Sequence, residues 1–272
     1  MKYKMIAVDL DGTLCDDRSE ITERTNSAVQ KAIEAGILFV ISTGRAMCGV
    51  ERINALFDKD LPFITLNGAV VVMGKSLKVL ASMYLDFALA KEVFELGVNC
   101  CAAVVVWTDK GLRASRECEE TRYYRGISNT QMTVTRDFGE LKDERVSKVL
   151  WIGAPDEIDR YRIEMNKRYA GKLNCYPSRP EYLDFVSLNA DKAIAMEEIG
   201  KIFDIDKSEM IAVGDGYNDI SMLKYAGLGV AMENAPDDVK AVCGYVTLSN
   251  NEDGVAAVIE KFLLAPQQTG KP

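Results

Sequence analysis

The feature that most narrows what this chain can fold into is an apolar, β-branched run, Met5-Ile6-Ala7-Val8, that stops at two carboxylates, Asp9 and Asp11, with Gly12-Thr13 directly behind. A run of that length and composition predicts a buried strand that delivers acids to the edge of a sheet. Open α/β sheets bind ligands outside the carboxyl ends of their strands, so Asp9 and Asp11 stand where chemistry is normally placed. Acids two residues apart repel, and a site that keeps both needs a cation or a shared proton. Mg²⁺ suits the first option, because it prefers carboxylate and carbonyl oxygen and keeps waters for a phosphate ligand. Taken alone, the segment also reads as a strand followed by an Asp-Gly turn.

The chain downstream supplies a parallel pattern. Thr22 can cap a helix whose apolar face is Ala28, Val29, Ala32 and Ile33 and which ends at Gly36. Residues 37–41 read as a buried strand, 46–57 as a helix with Val50, Ile53 and Leu56 on one face, and 63–66 as the next strand. This β-α-β-α-β order predicts a doubly wound parallel sheet. Asn67-Gly68 is a turn signal, and residues 69–73 and 77–83 read as a hairpin.

There the pattern changes. Asp86 can cap a helix carrying Leu89, Val93 and Leu96, and strands follow at 102–107, 131–135 and 146–152. Pro155 suits the first turn of a helix with Ile158, Tyr161, Met165 and Tyr169 on one face, before short strands at 173–176 and 182–186. From Asp191 alternation resumes: a helix to Phe203, a strand at 210–213, a helix, a strand at 228–231 and a helix at 253–264. The polar tail, residues 267–272, is expected to fray. The fold class predicted is α/β, a doubly wound, Rossmann-like parallel-sheet core from residues 1–83 and 187–272, with an inserted α+β domain of residues 84–186.

Composition bounds the chemistry. The 33 basic and 41 acidic residues leave a net charge of -8, which argues against nucleic acid or an anionic membrane as a partner. Seven cysteines without a Cys-x-x-Cys pair, two of them adjacent at Cys100-Cys101, suit thiols in a reducing cytoplasm. Asp9 and Asp11 interrupt the first apolar run too early for a signal peptide, and no apolar stretch reaches the ~18 residues of a membrane span, so a cytoplasmic protein is expected. The sequence has no histidine. Histidine general catalysis, Ser-His or Cys-His nucleophiles and histidine metal sites are therefore excluded, and carboxylates and lysine must carry any catalysis.

Three further segments bear on that catalysis. Ile41-Ser42-Thr43-Gly44-Arg45 ends one strand, Lys192 opens a late helix, and Gly214-Asp215-Gly216-Tyr217-Asn218-Asp219 ends another strand. The last of these, read alone, is equally a turn with a helix cap. Together with Asp9-Leu10-Asp11-Gly12-Thr13, and in this order, they resemble the four motifs of the haloacid dehalogenase-like phosphatases. Asn67-Gly68-Ala69 and the run from Met222 to Pro236 resemble the Cof-type branch, which carries a class IIB cap.

The resemblance implies a phosphatase for a small phosphorylated metabolite, a sugar phosphate or related monoester, working through an aspartyl phosphate. It implies Asp9 as nucleophile and Asp11 as acid and then base. It puts Mg²⁺ on one oxygen of Asp9, the main-chain carbonyl of Asp11 and the carboxylate of Asp215, with Asp219 holding or orienting a metal-bound water. Gly12, Thr43, Gly44, Lys192 and Asn218 fall on the phosphate side, and Arg45 and Asn67 brace the loops. Ala193 and Glu233 stand where the family commonly has Gly, which bears on local backbone geometry. Residues 84–186 correspond to the cap, and Arg179, Glu181 and Asp184 are candidate substrate contacts, each also readable as a solvated charge at a strand edge. The competing classes are a phospho-acceptor signalling domain, which Asp11 and the second domain disfavour, a silent ligand-binding relative, and a phosphomutase or phosphotransferase, which would not release inorganic phosphate.

Overall fold

Every residue of the opening apolar run is buried, and it forms a strand, β1 (Met5–Asp9). The structure, a computed structural model, describes residues 2–45, 47–100, 102–128 and 131–265. The expected frayed tail at 267–272, Ala46 and Cys101 lie outside the described residues. After β1 come α1 (Glu23–Glu34), β2 (Leu38–Ser42), α2 (Glu51–Ala55), β3 (Pro62–Thr65), β4 (Val70–Met73) and β5 (Val79–Ser82). Next are α3 (Phe87–Asn99), β6 (Ala103–Thr108), β7 (Gly111–Ala114), α4 (Glu119–Ser128), β8 (Met132–Val134), β9 (Val146–Ile152), α5 (Pro155–Arg168), β10 (Leu173–Arg179) and β11 (Tyr182–Ser187). The chain closes with α6 (Lys192–Phe203), β12 (Met210–Gly214), α7 (Ile220–Tyr225), β13 (Leu228–Ala231), α8 (Asp237–Lys240), β14 (Tyr245–Val246) and α9 (Gly254–Ile259).

Two compact units result, one from the described residues of Met1–Thr43, Ile53–Ala81 and Asp191–Pro272, the other from Gly44–Arg52 and Ser82–Ala190. In the first, the sheet order among the described residues is β14-β13-β12-β1-β2-β3-β4-β5. β1 pairs in parallel with β2 on one side, Asp9 opposite Ser42, and with β12 on the other, Val8 opposite Val213. The chain thus winds away from β1 in both directions, and the carboxyl ends of β1 and β12 flank the point where the winding reverses, the usual ligand crevice of such sheets. Met5 and Ala7 pack with Ala195, Met196 and Ile199 of α6 and Met222 and Leu223 of α7. Asp191 caps α6 by accepting from the N–H groups of Ala193 (2.7 Å) and Ile194 (3.3 Å). The turn after β3 presses on that cap so closely that a Cβ on Gly68 (φ +98°) would stand 2.3 Å from the Asp191 carbonyl oxygen.

The second unit carries a sheet of order β10-β11-β9-β6-β7-β8, mostly antiparallel. Residues of α3 and α5 such as Val93, Phe94 and Met165 pack with Val104, Val149, Trp151 and Phe185, while Tyr124 of α4 packs with Val105, Leu150 and Tyr182. Lys148 and Asp184 form a buried ion pair at 3.1 Å. Burial pulls the Lys148 ammonium down most, but Asp184 and Tyr124 outweigh it and leave its pKa above the ordinary value.

The structure departs from the sequence expectation in identifiable places. Residues 46–57 do not form one helix; Met47–Gly49 is a 3₁₀ turn and only Glu51–Ala55 is α-helical, as a glycine costing ~1 kcal/mol in a helix interior favours. α4 was not foreseen because its stretch, Glu-Glu-Thr-Arg-Tyr-Tyr-Arg-Gly-Ile-Ser, is polar overall and has a single aliphatic residue, Ile127. β7, α8 and β14 were not foreseen either, since two to four residues hold too little periodicity to register. Asp184 is not a solvated charge at a strand edge: β11 lies between β10 and β9, and the carboxylate is buried against Lys148.

Replacing Asp184 by Ala strands a buried ammonium and is expected to cost about 3–5 kcal/mol. Both tryptophans, Trp107 and Trp151, lie in the second unit, so urea denaturation followed by tryptophan fluorescence reads that unit. A loss below about 1 kcal/mol, the range of exposed pairs, would show the pair to be solvated.

Candidate active site

Three elements of the first unit converge on one ammonium. Lys192 is the first residue of α6, 1 % exposed, and its Nζ donates to Asp9 Oδ1 (2.6 Å), Asp219 Oδ1 (2.6 Å) and the Ser42 carbonyl (3.4 Å). An ammonium has three protons, so these partners occupy all of them. The Asp191 cap and the contact with Gly68 fix where α6 begins, and therefore where this charge sits.

Asp219 uses its other oxygen to close its own loop, Oδ2 accepting from the main-chain N–H of Asp215 (3.1 Å) and Gly216 (2.9 Å). Asp215 is tied to the loop after β1: Thr13 Oγ1 donates to its Oδ1 at 2.7 Å. Its Oδ2 lies 2.6 Å from where a Cβ on Gly12 (φ +79°) would stand, so only glycine fits there. The two acid-bearing loops, after β1 and after β12, are thus interlocked side chain against backbone.

Burial is the largest influence on the two partly free acids. It lifts the Asp9 pKa well above its ordinary value, Asp219 adding to the effect and Lys192 opposing it. It pushes Asp215 up to about 6, with the Thr13 hydrogen bond pulling back and the Asp219 charge adding. Lys192, drawn down by burial, is raised above its ordinary value by Asp219 and Asp9 together.

Asp9, Asp215 and Asp219 each offer an oxygen within 4.8 Å of the others. Three carboxylates against one ammonium, two of them buried and Asp215 half-buried, leave two formal negative charges that a divalent cation would balance. The all-oxygen donor set suits a hard cation. Asp9 Oδ2 and Asp215 Oδ2 accept no hydrogen bond among the described residues, whereas both oxygens of Asp219 already do. The residues present therefore fit a metal ion, with Asp9 and Asp215 as the oxygens open to it.

The other predicted residues are placed as follows. Thr43 is buried directly after β2, its N–H on the Ile64 carbonyl (2.8 Å) and its own carbonyl accepting from Asn67 N–H (3.1 Å). Asn67, buried in the left-handed region (φ 54°), accepts from Asn218 Nδ2 at 3.0 Å. Asp11 is exposed and Gly12 half-buried, at the loop after β1. Gly44 and Arg45 fall in the second unit, where Arg45 Nη1 donates to the Gly49 carbonyl (3.3 Å). In that unit the Arg179 guanidinium lies 5.6 Å over the Tyr182 ring. Glu181 lines a cavity of about 580 Å³ with Arg116, Tyr123 and Glu157. Sequence reasoning assigned no role to Thr13 or the Ser42 carbonyl; the Thr in Asp-Gly-Thr was the available signal, since a hydroxyl two residues past Asp11 is within reach of a neighbouring acid.

A family profile described as haloacid dehalogenase-like hydrolase matches residues 6–259. The chain belongs to that family. Among its relatives, the Bacillus subtilis (strain 168) protein named "Putative phosphatase YxeH" is 30% identical over 269 residues, covering 97% of this chain and 99% of its own. From the same organism, 5-amino-6-(5-phospho-D-ribitylamino)uracil phosphatase YcsE is 30% identical over 267 residues, 96% of each chain. The crystal structure of a haloacid dehalogenase-like hydrolase from Bacteroides thetaiotaomicron superposes with a TM-score of 0.80 at 30% identity, covering 95% of this chain and 99% of that one. The doubly wound sheet is thus that of the haloacid dehalogenase-like hydrolases.

Lys192→Met should cost about 3–5 kcal/mol at about pH 8 in chelator, because the buried carboxylates of Asp9 and Asp219 lose the ammonium they share. Stranded acids bind protons more readily folded than unfolded, so their raised pKa makes stability rise as pH falls. The deficit against wild type, measured by calorimetry, should therefore shrink between about pH 8 and about pH 5; a deficit that grows instead would show that Lys192 does not offset the acids.

Proposed function

We propose that this protein is a Mg²⁺-dependent phosphatase that hydrolyses a small phosphorylated metabolite, a sugar phosphate or related monoester, through an aspartyl phosphate. The observation that carries the reading is the buried Lys192 ammonium on one oxygen of Asp9, with Asp9, Asp215 and Asp219 gathered at the carboxyl ends of β1 and β12. The names of the relatives as phosphatases support it.

In this reading Asp9 attacks phosphorus, the bond to the leaving oxygen breaks, and Asp11 donates its proton to that oxygen. Asp11 then takes a proton from water, the water oxygen attacks phosphorus, and the bond to Asp9 breaks to release phosphate. Asp9, the Asp11 carbonyl and Asp215 would hold Mg²⁺, which supplies positive charge against the phosphoryl oxygens. Asp219 anchors Lys192 and the loop that carries Asp215. Thr43, Gly44, Gly12 and Asn218 act on the phosphate side, and Lys192 contributes compact positive charge. Residues 84–186 act as the cap that selects the substrate. Cys100, Cys118, Cys175 and Cys243 are free thiols, and no helix among the described residues is long and apolar enough to cross a membrane; both features suit the cytoplasm.

The test is phosphate release from a panel of sugar phosphates, p-nitrophenyl phosphate and 5-amino-6-(5-phospho-D-ribitylamino)uracil, the compound in the name of YcsE. Release should require Mg²⁺ and stop in EDTA. Asp9→Asn should lower turnover by at least ~10³-fold, and Asp11→Asn should slow even the activated aryl ester, because the phosphoenzyme still needs its water deprotonated. Full turnover after exhaustive chelation would overturn the metal role. Transfer of phosphate to a second sugar position without release would identify a mutase, and a long-lived phosphoenzyme a signalling domain.

A further inference from the structure

A third loop, without an acid of its own in the site, holds the two acid-bearing loops together. It follows β13. Its Met232 N–H donates to the Gly214 carbonyl (3.0 Å), one residue before Asp215. Two residues on, Asn234 Nδ2 donates to the Gly12 carbonyl at 2.9 Å, one residue after Asp11. Asn234 Oδ1 is itself held, accepting from the N–H of Asn250 at 3.0 Å. Asn250, buried, donates from Nδ2 to the Cys15 carbonyl (3.2 Å) and Asp17 Oδ1 (3.0 Å), and Asn251 Nδ2 donates to Asp17 Oδ2 (2.9 Å). Three asparagines from the last part of the chain thus clasp the loop that carries Asp11, Gly12 and Thr13.

The loop needs such a clasp for a specific reason. Asp215 Oδ2 approaches so near that position 12 must be glycine, and its φ of +79° is one that glycine alone adopts freely. The residue that permits the close approach is also the residue that leaves the backbone least constrained. A carbonyl pinned at position 12 fixes the peptide plane between Gly12 and Thr13, and through it the angle at which Asp11 and its own carbonyl are presented.

We infer that Asn234 is a positioning residue: by holding the Gly12 carbonyl from the loop that also holds the Gly214 carbonyl, it sets the relative placement of Asp11 and Asp215. The inference rests on the phosphatase reading for its kinetic readout and on the metal site for an independent one. Asn234 is exposed, so its bond adds little to stability, and its effect is on geometry. Small misplacement of a reacting group is enough to cost ~10²-fold in rate, and loss of a residue that orients a metal ligand typically costs ~10–100-fold in metal affinity or activity.

The experiment compares wild type with Asn234→Leu, which keeps shape and removes both hydrogen bonds, and Asn234→Gln, whose longer amide can still donate from an exposed position. Four quantities are read: kcat and KM for p-nitrophenyl phosphate, Mg²⁺ affinity by calorimetry without substrate, and Tm in EDTA. The expected result for Asn234→Leu is kcat down by ~10–100-fold with KM little changed, a parallel loss of Mg²⁺ affinity, and Tm within a few degrees of wild type; Asn234→Gln should recover most of both. The inference is overturned if Asn234→Leu keeps wild-type kcat and Mg²⁺ affinity within about twofold, the scatter of neutral surface changes, or if activity falls only in step with Tm. Should wild type release no phosphate from any ester, the phosphatase reading falls, and the Mg²⁺ affinities of the variants still decide the role of Asn234.

Discussion

The first unit depends on one buried cation. Lys192 reaches acids brought from positions far apart in the chain, Asp9 at the end of β1 and Asp219 behind β12, at equal distances of 2.6 Å. Taking an ammonium and two carboxylates out of water is costly, and such a cluster persists only where geometry satisfies every proton and lone pair. Here the third proton finds the Ser42 carbonyl, and the second oxygen of Asp219 finds two main-chain N–H groups. The arrangement is closed around Lys192 and Asp219 and open at Asp9 Oδ2 and Asp215 Oδ2. Its unsatisfied side therefore faces the place where a cation or an anion can be held.

Strand order explains why this is possible. β12 lies beside β1 although some two hundred residues separate them, so the ends of the first and the late strands become neighbours. Side chains alone do not bring loops this close. Gly12 against Asp215, Gly214 against the Asp219 carboxyl, and Gly68 against the Asp191 carbonyl are each contacts that a Cβ would break. In all three the opposing group helps to place a charged residue.

Much of this was legible in the sequence because each acid sits at the end of an apolar run, and buried parallel strands are the easiest elements to read. The Asp-x-Asp-Gly-Thr and Gly-Asp-Gly-Tyr-Asn-Asp segments named Asp9, Asp11, Asp215 and Asp219, and the helix opening at Lys192 named the cation. What the sequence did not disclose depends on partners distant in the chain. Nothing near Asp184 signals that it would be matched by Lys148 on the neighbouring strand, since ion pairs across a sheet have no local pattern. Likewise α4 is polar overall and takes its place through what it packs on, by way of Tyr124. Asn234 was visible as part of a longer run, but its hydrogen bond to Gly12 spans most of the chain and leaves no trace in spacing.

The absence of histidine gives the environments of Asp9 and Asp11 their meaning. With no imidazole in the chain, the proposed reaction assigns both nucleophilic attack and proton transfer to carboxylates, and two identical side chains two residues apart must then be made different by their surroundings. Asp9 is 6 % exposed and bound to Lys192, so one oxygen is fixed in direction and the charge is held away from water. Asp11 is exposed, on a loop held by a glycine turn and the asparagine clasp, where a proton can be exchanged with solvent. In the proposed reaction, a strand would place the acid that needs a fixed line of approach, and a loop the acid that gives and regains a proton. Strand alternation would put residues two apart on one face, so it is the end of β1 at Asp9 and the turn beginning at Leu10 that send Asp11 elsewhere.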